Sequence, residues 1–196
     1  MFKTKLNLRK VATMVSCLAV TTMFSGCKDN DKDEDDNAKQ TFVLKSNAFS
    51  HNQRLDTKFC FTGVSGGQNI SLPFNWEDLP KNIQSYALII HDPDGGNWIH
   101  WAVFNIPANC TAIDEGASGK NMPEGSLELN NEFGTSGYGG PQPPTGSGTH
   151  RYIVTLYALN TSAITDISGF RNYATLNSLL KGKVIGSASI TGTYSR

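Results

Sequence analysis

The stretch GGPQPPTGSGTHRY, residues 139–152, joins a loop dense in glycine and proline to a run typical of a β-strand. Five glycines and three prolines stand among the twelve residues 137–148. Proline fixes φ and glycine permits left-handed backbone, so this composition predicts a shaped loop whose N–H groups can approach an anion. Residues two apart on a strand share a face, so His150 and Tyr152 should project together and Arg151 away from them.

A second set of polar residues surrounds a tight connection between two predicted strands. Asp92 follows the run Ser85–His91, which is apolar at nearly every position, as in a strand covered on both faces. A short turn of glycine and asparagine then leads to a run that contains His100. If these strands lie beside the one that carries His150 and Tyr152, a carboxyl, two imidazoles and a phenol converge. The sequence therefore predicts one concave site for a small ligand.

The pattern along the rest of the chain predicts a mainly β fold. Short runs rich in Val, Ile, Phe, Tyr and Thr are separated by clusters of Gly, Pro, Asn and Asp. The predicted strands are Thr41–Asn47, Lys58–Thr62, Ser85–His91, Trp98–Asn105, Arg151–Ala158 and Ser187–Tyr194. One helix is predicted over Tyr173–Leu180, where four apolar side chains share a face before Gly182. We expect a two-sheet β-sandwich with a short C-terminal helix.

The first residues have the features of a bacterial export signal. Four basic residues precede an apolar stretch over residues 11–24, and Ser25, Gly26 and Cys27 follow it. Small residues before a cysteine resemble the lipobox of bacterial lipoproteins, in which the cysteine is lipidated. We expect a signal peptide over residues 1–26, a lipidated acidic tether over 27–40 and one domain over 41–196. The chain is then lipid-anchored in the bacterial cell envelope, facing the periplasm or the surface; an ordinary secreted protein is the alternative.

The charges of the predicted domain are nearly balanced. Residues 28–39 contain six acidic residues and three lysines, as expected for a solvated tether. From Thr41 onward the chain has 10 basic and 11 acidic residues. This balance argues against a nucleic-acid partner and against strong attraction to anionic surfaces. The expected contact with the membrane is the lipid on Cys27, and a protein partner in the envelope is a further option.

The spacing of cysteine and histidine matches no metal or cofactor motif, so we expect neither a metal nor a cofactor. Cys60 and Cys110 remain in the domain, where they either form a disulfide or are separate small buried residues. The chain has no His-Glu-x-x-His pair and no phosphate-binding Gly-Lys-Ser/Thr loop. No catalytic residue is therefore predicted.

Several motifs occur in a fixed order along the domain. They are Asp92-Pro93-Asp94, Ile99-His100-Trp101, Asn105-Ile106-Pro107, residues 137–144, residues 148–152 and residues 192–196. Together they resemble the phosphatidylethanolamine-binding protein family, in particular its bacterial Raf kinase inhibitor-like branch. The resemblance implies a β-sandwich with a pocket for a small anion such as phosphate, acetate or a phospholipid headgroup. Carried onto this chain, it implies the ligand-binding residues Asp92, His100, Gly140, Pro141, His150 and Tyr152.

We expect a non-enzymatic binding domain. Histidines that titrate in their usual range would make anion binding tighter at about pH 6 than at about pH 8. One alternative is an inhibitor or interaction module for an envelope protein, as some members of the family are; another is a hydrolase that uses the Asp and His residues. The chain departs from the usual bacterial pattern at Gly95-Gly96, Gln142 and Lys183, and these departures bear on the choice of ligand.

Overall fold

The computed structural model describes residues 42–196, which form nine strands, one α-helix and one 3₁₀ turn. In chain order these are β1 (Val43–Lys45), β2 (Gln53–Arg54), the 3₁₀ turn (Thr57–Phe59), β3 (Phe74–Glu77), β4 (Ser85–Asp92), β5 (Trp98–Pro107), β6 (Ala112–Ile113), β7 (Leu127–Glu128), β8 (Thr149–Leu159), α1 (Tyr173–Leu180) and β9 (Val184–Ser195). The predicted signal peptide, Cys27 and the tether lie outside the described residues.

The strands form two sheets. The larger sheet has six strands in the order β2-β9-β8-β4-β5-β7, and the smaller has three in the order β1-β3-β6. Neighbouring strands are antiparallel, except for β2 and β9, which pair in parallel. Because β4 lies between β5 and β8, its last residues stand beside the start of both neighbours. The predicted mainly β fold with two sheets and one short helix is confirmed.

The central strands β4 and β5 of the larger sheet are buried on both faces. Tyr86, Leu88 and Ile90 of β4 join a hydrophobic core shared with the smaller sheet. Ala87 and Ile89 point the other way, into a second core that includes the apolar face of α1. All eight residues of β4 are buried, which is why its sequence is apolar at almost every position instead of alternating.

The smaller sheet covers the first core from the opposite side. Each of its strands contributes a buried apolar side chain: Leu44 from β1, Trp76 from β3 and Ile113 from β6. The Trp76 ring meets the ring of Tyr86 on β4 edge-on, with 5.4 Å between the centroids. Full burial of one such side chain stabilises the fold by about 1.5–3 kcal/mol. This packing makes the two sheets a sandwich.

The prediction of a strand over Lys58–Thr62 is wrong. Asp56 caps the 3₁₀ turn there, because its side chain accepts a hydrogen bond from the N–H of Lys58 at 2.9 Å. The turn buries Phe59 and Cys60 in the first core, and this long-range packing overrides their strand propensity. β3 is absent from the prediction because it is only four residues long, with two apolar positions.

The helix α1 has the predicted bounds. At its start the N–H groups of Arg171 and Asn172 donate to the Thr175 hydroxyl at 3.0 and 3.3 Å. Beyond its end, Gly182 has a φ of +71°, which suits a glycine after a helix. Leu176 and Leu180 pack into the second core. Across residues 42–196 no helix combines the length and the apolar character that crossing a membrane requires.

Cys60 and Cys110 are both free thiols, so no disulfide joins them. Cys60 is fully buried, and burial raises the pKa of its thiol to about 11. A thiol that is hard to ionise and closely packed behaves as a small apolar core residue. Of the two alternatives that the sequence left open, the structure has the unpaired one.

Candidate functional site

A cavity of about 270 Å³ opens at the end of the larger sheet where β4 stops and β5 and β8 begin. Its wall is formed by Asp92, Gly95, Trp98, His100, Phe133, Gln142, Pro143, Pro144, His150 and Tyr152. The structure thus brings together Asp92, His100, His150 and Tyr152, although two segments some distance apart in the chain supply them. Their role in binding stays a prediction.

An irregularity in the pairing of β4 with β5 orients His100. Ile90 is opposite Trp101, whereas His91 is opposite Ile99, so His100 is the extra residue of a β-bulge. Trp101 faces the first core, while Ile99 faces the second. Because of the bulge, the side chains of His100 and Trp101 lie on the same side of the sheet although the two residues are adjacent in sequence. Bulges of this kind commonly re-aim a side chain at a functional site.

His100 is held by a reciprocal pair of hydrogen bonds with the glycine-rich loop. Its Nδ1 lies 2.6 Å from the Gly139 carbonyl oxygen, and the Gly139 N–H donates to the His100 carbonyl at 2.8 Å. A carbonyl only accepts, so Nδ1 carries the proton and Nε2 keeps its lone pair. Burial lowers the pKa of His100 to about 4. The expectation that both histidines titrate in their usual range is therefore wrong for His100, which stays neutral at physiological pH.

His150 lies between a carboxylate and a hydroxyl. Its Nδ1 is 2.6 Å from Asp92 Oδ2, and its Nε2 is 3.0 Å from Ser147 Oγ. The second carboxylate oxygen of Asp92 accepts the Gly95 N–H at 2.9 Å, so both oxygens are fixed. Asp92 and His150 are 4% and 6% exposed, which makes their pair a buried one.

Ser147 is absent from the sequence-based prediction, although it precedes His150 by only three residues. A tight turn brings it back: the Ser147 N–H and its hydroxyl both donate to the Pro144 carbonyl, at 3.1 and 2.7 Å. Gly146 and Gly148 flank Ser147 with φ values of +81° and +91°. The two glycines and the following histidine were visible in the sequence, but the direction of the serine depends on this turn.

Tyr152 projects into the same cavity from β8, as the two-residue period predicts. It is 1% exposed, and its hydroxyl has no hydrogen-bond partner among the described residues. Its ring meets that of His100 edge-on at 5.1 Å. Burial raises the pKa of Tyr152, so the phenol keeps its proton and remains a hydrogen-bond donor.

Gly140 and Pro141 do not line the cavity, which corrects the assignment made from the family resemblance. Gly140 packs against the 3₁₀ region, where a Cβ on it would lie 2.0 Å from the Phe59 carbonyl oxygen. Its N–H donates to Asn69 Oδ1 at 2.7 Å, and the Pro141 carbonyl accepts the Phe61 N–H at 3.1 Å. The N–H groups of Gly139 and Gly140 are thus used inside the protein and do not form the expected anion nest. The loop forms the wall further along, through residues 142–144.

Aromatic residues form the rim of the cavity. The Phe133 ring stacks on Phe61 with 4.4 Å between centroids, and Trp98 meets Phe133 edge-on at 5.5 Å. Trp98 is 36% exposed, which places an apolar ring at the mouth. Phe133 is absent from the prediction because it comes from the long segment after β5, where no periodic pattern shows which residues point inward.

An ion pair at the surface lies outside the cavity wall. Arg151, which points away from Tyr152 as predicted, donates to Asp94 from its backbone N–H, Nε and Nη2 at 2.8–3.0 Å. This hydrogen bonding lowers the pKa of Asp94 to about 2. The pair ties the β4–β5 turn to the start of β8. The cavity wall itself includes no lysine or arginine.

One sequence pattern has the letters of a catalytic motif but not its structure. Residues 63–67 read Gly-x-Ser-x-Gly, the letters of a nucleophile elbow. An elbow serine sits between a strand and a helix. Ser65 instead lies exposed in consecutive turns, in which the Val64 N–H donates to the Phe61 carbonyl and the Gly67 N–H to the Val64 carbonyl. Across residues 42–196 no group of three or more His, Cys, Asp or Glu side chains is arranged to hold a metal ion.

Comparisons with known proteins agree with the motifs. Residues 45–195 match the family model described as phosphatidylethanolamine-binding protein. The chain is 37% identical over 156 residues to the UPF0098 protein of Methanothermobacter thermautotrophicus, covering 78% of this chain and 98% of that protein. The UPF0098 protein YbhB of Escherichia coli is 36% identical over 158 residues, covering 78% of this chain and 99% of YbhB.

A solved structure shows the same fold. The crystal structure of Escherichia coli YbcL, described as a new member of the mammalian PEBP family, matches with a TM-score of 0.73 at 32% identity. The match covers 80% of this chain and 99% of YbcL. With the fold, the ordered motifs and these relatives in agreement, this chain belongs to the phosphatidylethanolamine-binding protein family.

Proposed function

We propose that this chain binds a small anion or a phospholipid headgroup in the cavity, and that a lipid on Cys27 holds it at the bacterial envelope. The observation that carries the proposal is the Tyr152 hydroxyl, which is buried in the cavity wall and has no partner among residues 42–196. A buried polar group left unpaired costs about 1–3 kcal/mol. An oxygen of a ligand in the cavity supplies the missing acceptor.

The size and the chemistry of the wall restrict the ligand. A volume of about 270 Å³ lies just below the range of about 300–1,000 Å³ that is usual for small-molecule pockets. An inorganic anion or a headgroup fits such a space, while acyl chains stay outside. The Tyr152 phenol keeps its proton at neutral pH, so it favours an oxygen acceptor over a second donor. Without a lysine or arginine in the wall, hydrogen bonds supply most of the affinity.

The two imidazoles in the cavity wall do not contribute equally to the pH dependence of binding. His100 stays neutral above about pH 4 and contributes no positive charge between pH 6 and pH 8. His150 is the other imidazole in the wall and is paired with Asp92. A gain in phosphate binding between about pH 8 and about pH 6 therefore does not come from charge on His100.

The Tyr152→Phe variant tests the proposal. It removes one oxygen that has no partner among residues 42–196, so we expect folding stability to be unchanged or slightly higher. A hydrogen bond to a charged ligand contributes about 1.5–3 kcal/mol, so binding should weaken by about tenfold or more. Calorimetric titrations of inorganic phosphate and of phosphoethanolamine measure this loss, and they distinguish a free anion from a headgroup.

Tyr86→Phe is the matched control. The Tyr86 hydroxyl is also buried, but it lies in the first core and outside the cavity wall. The control should bind phosphate and phosphoethanolamine as the parent does. Absence of binding by the parent, or equal binding by Tyr152→Phe, would contradict the proposal.

A further inference from the structure

We propose that Ser147, His150 and Asp92 form a nucleophile, general base and orienting carboxylate, which give the protein hydrolytic activity toward esters with a short acyl group. The distances follow the required order: Ser147 Oγ to His150 Nε2 is 3.0 Å, and His150 Nδ1 to Asp92 Oδ2 is 2.6 Å. A nucleophile within hydrogen-bond reach of a base that a third group orients is the signature of covalent catalysis. The inference does not depend on the proposed anion binding.

The carboxylate fixes the tautomer that such a base needs. Asp92 Oδ1 accepts the Gly95 N–H at 2.9 Å, which leaves Oδ2 directed at His150. An ionised carboxylate only accepts, so a neutral His150 carries its proton on Nδ1. Its Nε2 then presents a lone pair to Ser147 Oγ. This arrangement orients the imidazole as a proton acceptor for the serine.

The Ser147 hydroxyl has two acceptors within reach and one proton. The Pro144 carbonyl lies 2.7 Å from Oγ, and His150 Nε2 lies 3.0 Å from it. Rotation about the Cβ–Oγ bond carries the proton from the carbonyl to the imidazole without moving a heavy atom. When the hydroxyl donates to the Pro144 carbonyl, the serine is not activated. When it donates to His150 Nε2, the serine is ready for deprotonation.

The surroundings give a substrate access to the serine. Ser147 is exposed, and a Cβ placed on Gly146 or Gly148 would meet no atom within 4 Å. Its neighbours Pro144 and His150 both line the cavity, so an acyl group that reaches Oγ from the rim can enter that space. The volume of about 270 Å³ limits the acyl group to a few carbons.

The Tyr152 hydroxyl supplies a donor for the negative charge that develops on the carbonyl oxygen. Tyr152 lines the same cavity as His150 and lies two residues further along β8, and its buried hydroxyl has no partner among the described residues. Donors preset for an oxyanion are among the largest contributions to acyl-transfer catalysis. A phenol whose pKa is raised by burial keeps the proton that this role requires.

The reaction balances with water as the only co-substrate. Ser147 Oγ attacks the ester carbonyl carbon while His150 Nε2 takes the hydroxyl proton. The tetrahedral adduct expels the alcohol oxygen, which receives that proton, and leaves an ester on Ser147. Water then attacks the ester, gives one proton to Nε2, and releases the carboxylic acid as the proton returns to Oγ. The net change is ester plus water to acid plus alcohol.

The test uses the purified full-length chain with p-nitrophenyl acetate and, separately, with a fluorophosphonate that labels activated serines. We expect p-nitrophenol release above the buffer rate, and a label that peptide mapping assigns to Ser147. Ser147→Ala should lose at least about tenfold in both measurements, because it lacks the oxygen to which both the acyl group and the label attach. Asp92→Asn should also lose rate, since an amide can donate to Nδ1 and so favours the unproductive tautomer.

Thr145→Ala is the control. This residue lies in the same exposed loop, and its hydroxyl accepts a hydrogen bond from Arg196 Nη2 at 3.2 Å without contacting His150. The control should keep both the hydrolysis and the label. Hydrolysis that survives in Ser147→Ala, or a parent protein with neither hydrolysis nor label, would overturn the inference. Phosphate titration of Ser147→Ala is a separate readout, so failure here is distinguishable from failure of the proposed binding.

Discussion

Gly140 packs so closely on the 3₁₀ region that no side chain fits at its position. A Cβ there would lie 2.0 Å from the Phe59 carbonyl oxygen and 2.7 Å from backbone atoms of Cys60 and Phe61. These are backbone atoms, which cannot rotate away as the end of a side chain can. The glycine therefore positions the loop against the body of the domain, and the loop in turn contacts the cavity through Gly139, which holds His100, and through residues 142–144.

We expect Gly140→Ala to destabilise the fold by about 1–3 kcal/mol, the usual cost of overpacking a closely packed site. Urea denaturation measures the loss. Gly169→Ala is the control, because a Cβ at Gly169 meets no atom within 4 Å, and it should change stability by less than about 0.5 kcal/mol. Equal stability of the two variants would show that the loop does not need to approach the 3₁₀ region.

The two imidazoles of the cavity have different chemistry because their partners differ. His100 donates to a carbonyl, is 3% exposed and stays neutral. His150 contacts a carboxylate and a hydroxyl. A neutral imidazole held by a carbonyl contributes shape and a lone pair to the cavity. The acid–base role proposed for His150 therefore has no counterpart at His100.

At the scale of elements, β4 connects the cavity to the second core. Asp92 faces the cavity, and the preceding residue His91 faces α1, where its ring stacks on Tyr173 with 3.9 Å between centroids. His91 is 5% exposed and its Nδ1 has no partner among the described residues. Burial lowers the pKa of His91 to about 4, as it does for His100.

This lowering predicts sensitivity to acid. The folded protein favours neutral His91, so the unfolded chain binds the proton first as the pH falls. The stabilisation is complete above about pH 6.5 and is lost as the pH falls toward about 4, which amounts to about 3 kcal/mol for one buried histidine. His91→Phe keeps a ring against Tyr173 and removes the titration. Chemical denaturation should therefore show a smaller loss of stability between pH 7 and pH 4.5 for this variant.

His51→Gln is the control for that measurement, since His51 is an exposed histidine outside both cores. It should keep the acid response of the parent. If His91→Phe loses stability with falling pH as steeply as the parent does, burial of His91 is not a source of the acid sensitivity.

At the scale of the whole molecule, two cores on opposite faces of one sheet leave the cavity at the ends of its central strands. The interior of β4 and β5 is filled on both faces, so their ends are the places where polar side chains can meet a ligand. The cavity has an aromatic rim, and Trp98 at its mouth is partly exposed. A site at this edge is open to molecules that approach from one side.

The proposed anchor is also a property of the whole chain. Each buried CH₂ of a lipid contributes about 0.8 kcal/mol to membrane binding, so a lipidated Cys27 should carry the protein into a detergent phase. We expect the chain expressed in a bacterial host to enter the detergent-rich phase on phase separation, and Cys27→Ala to remain in the aqueous phase. Cys110→Ser should behave as the parent does. A parent chain found in the aqueous phase would contradict the anchor.

The sequence alone determined those features that depend on local chemistry. Period-two alternation and buried apolar runs predicted the long strands, and the helix came out with its observed bounds, because these patterns record which faces are buried. Ordered motifs around Asp92, His100 and His150 predicted the family and four of the residues that line the cavity, namely Asp92, His100, His150 and Tyr152. Each of these signals lies within a few residues of chain or within one pair of strands.

Tertiary structure alone decided how the chain closes around that cavity. The bulge at His100, the 3₁₀ turn over Thr57–Phe59, the packing of Gly140 and the direction of Ser147 each depend on hydrogen bonds and contacts between distant segments. The propensity of one residue cannot predict a contact with a distant one. The free energy of that contact depends on both residues and arises only after the fold brings them together.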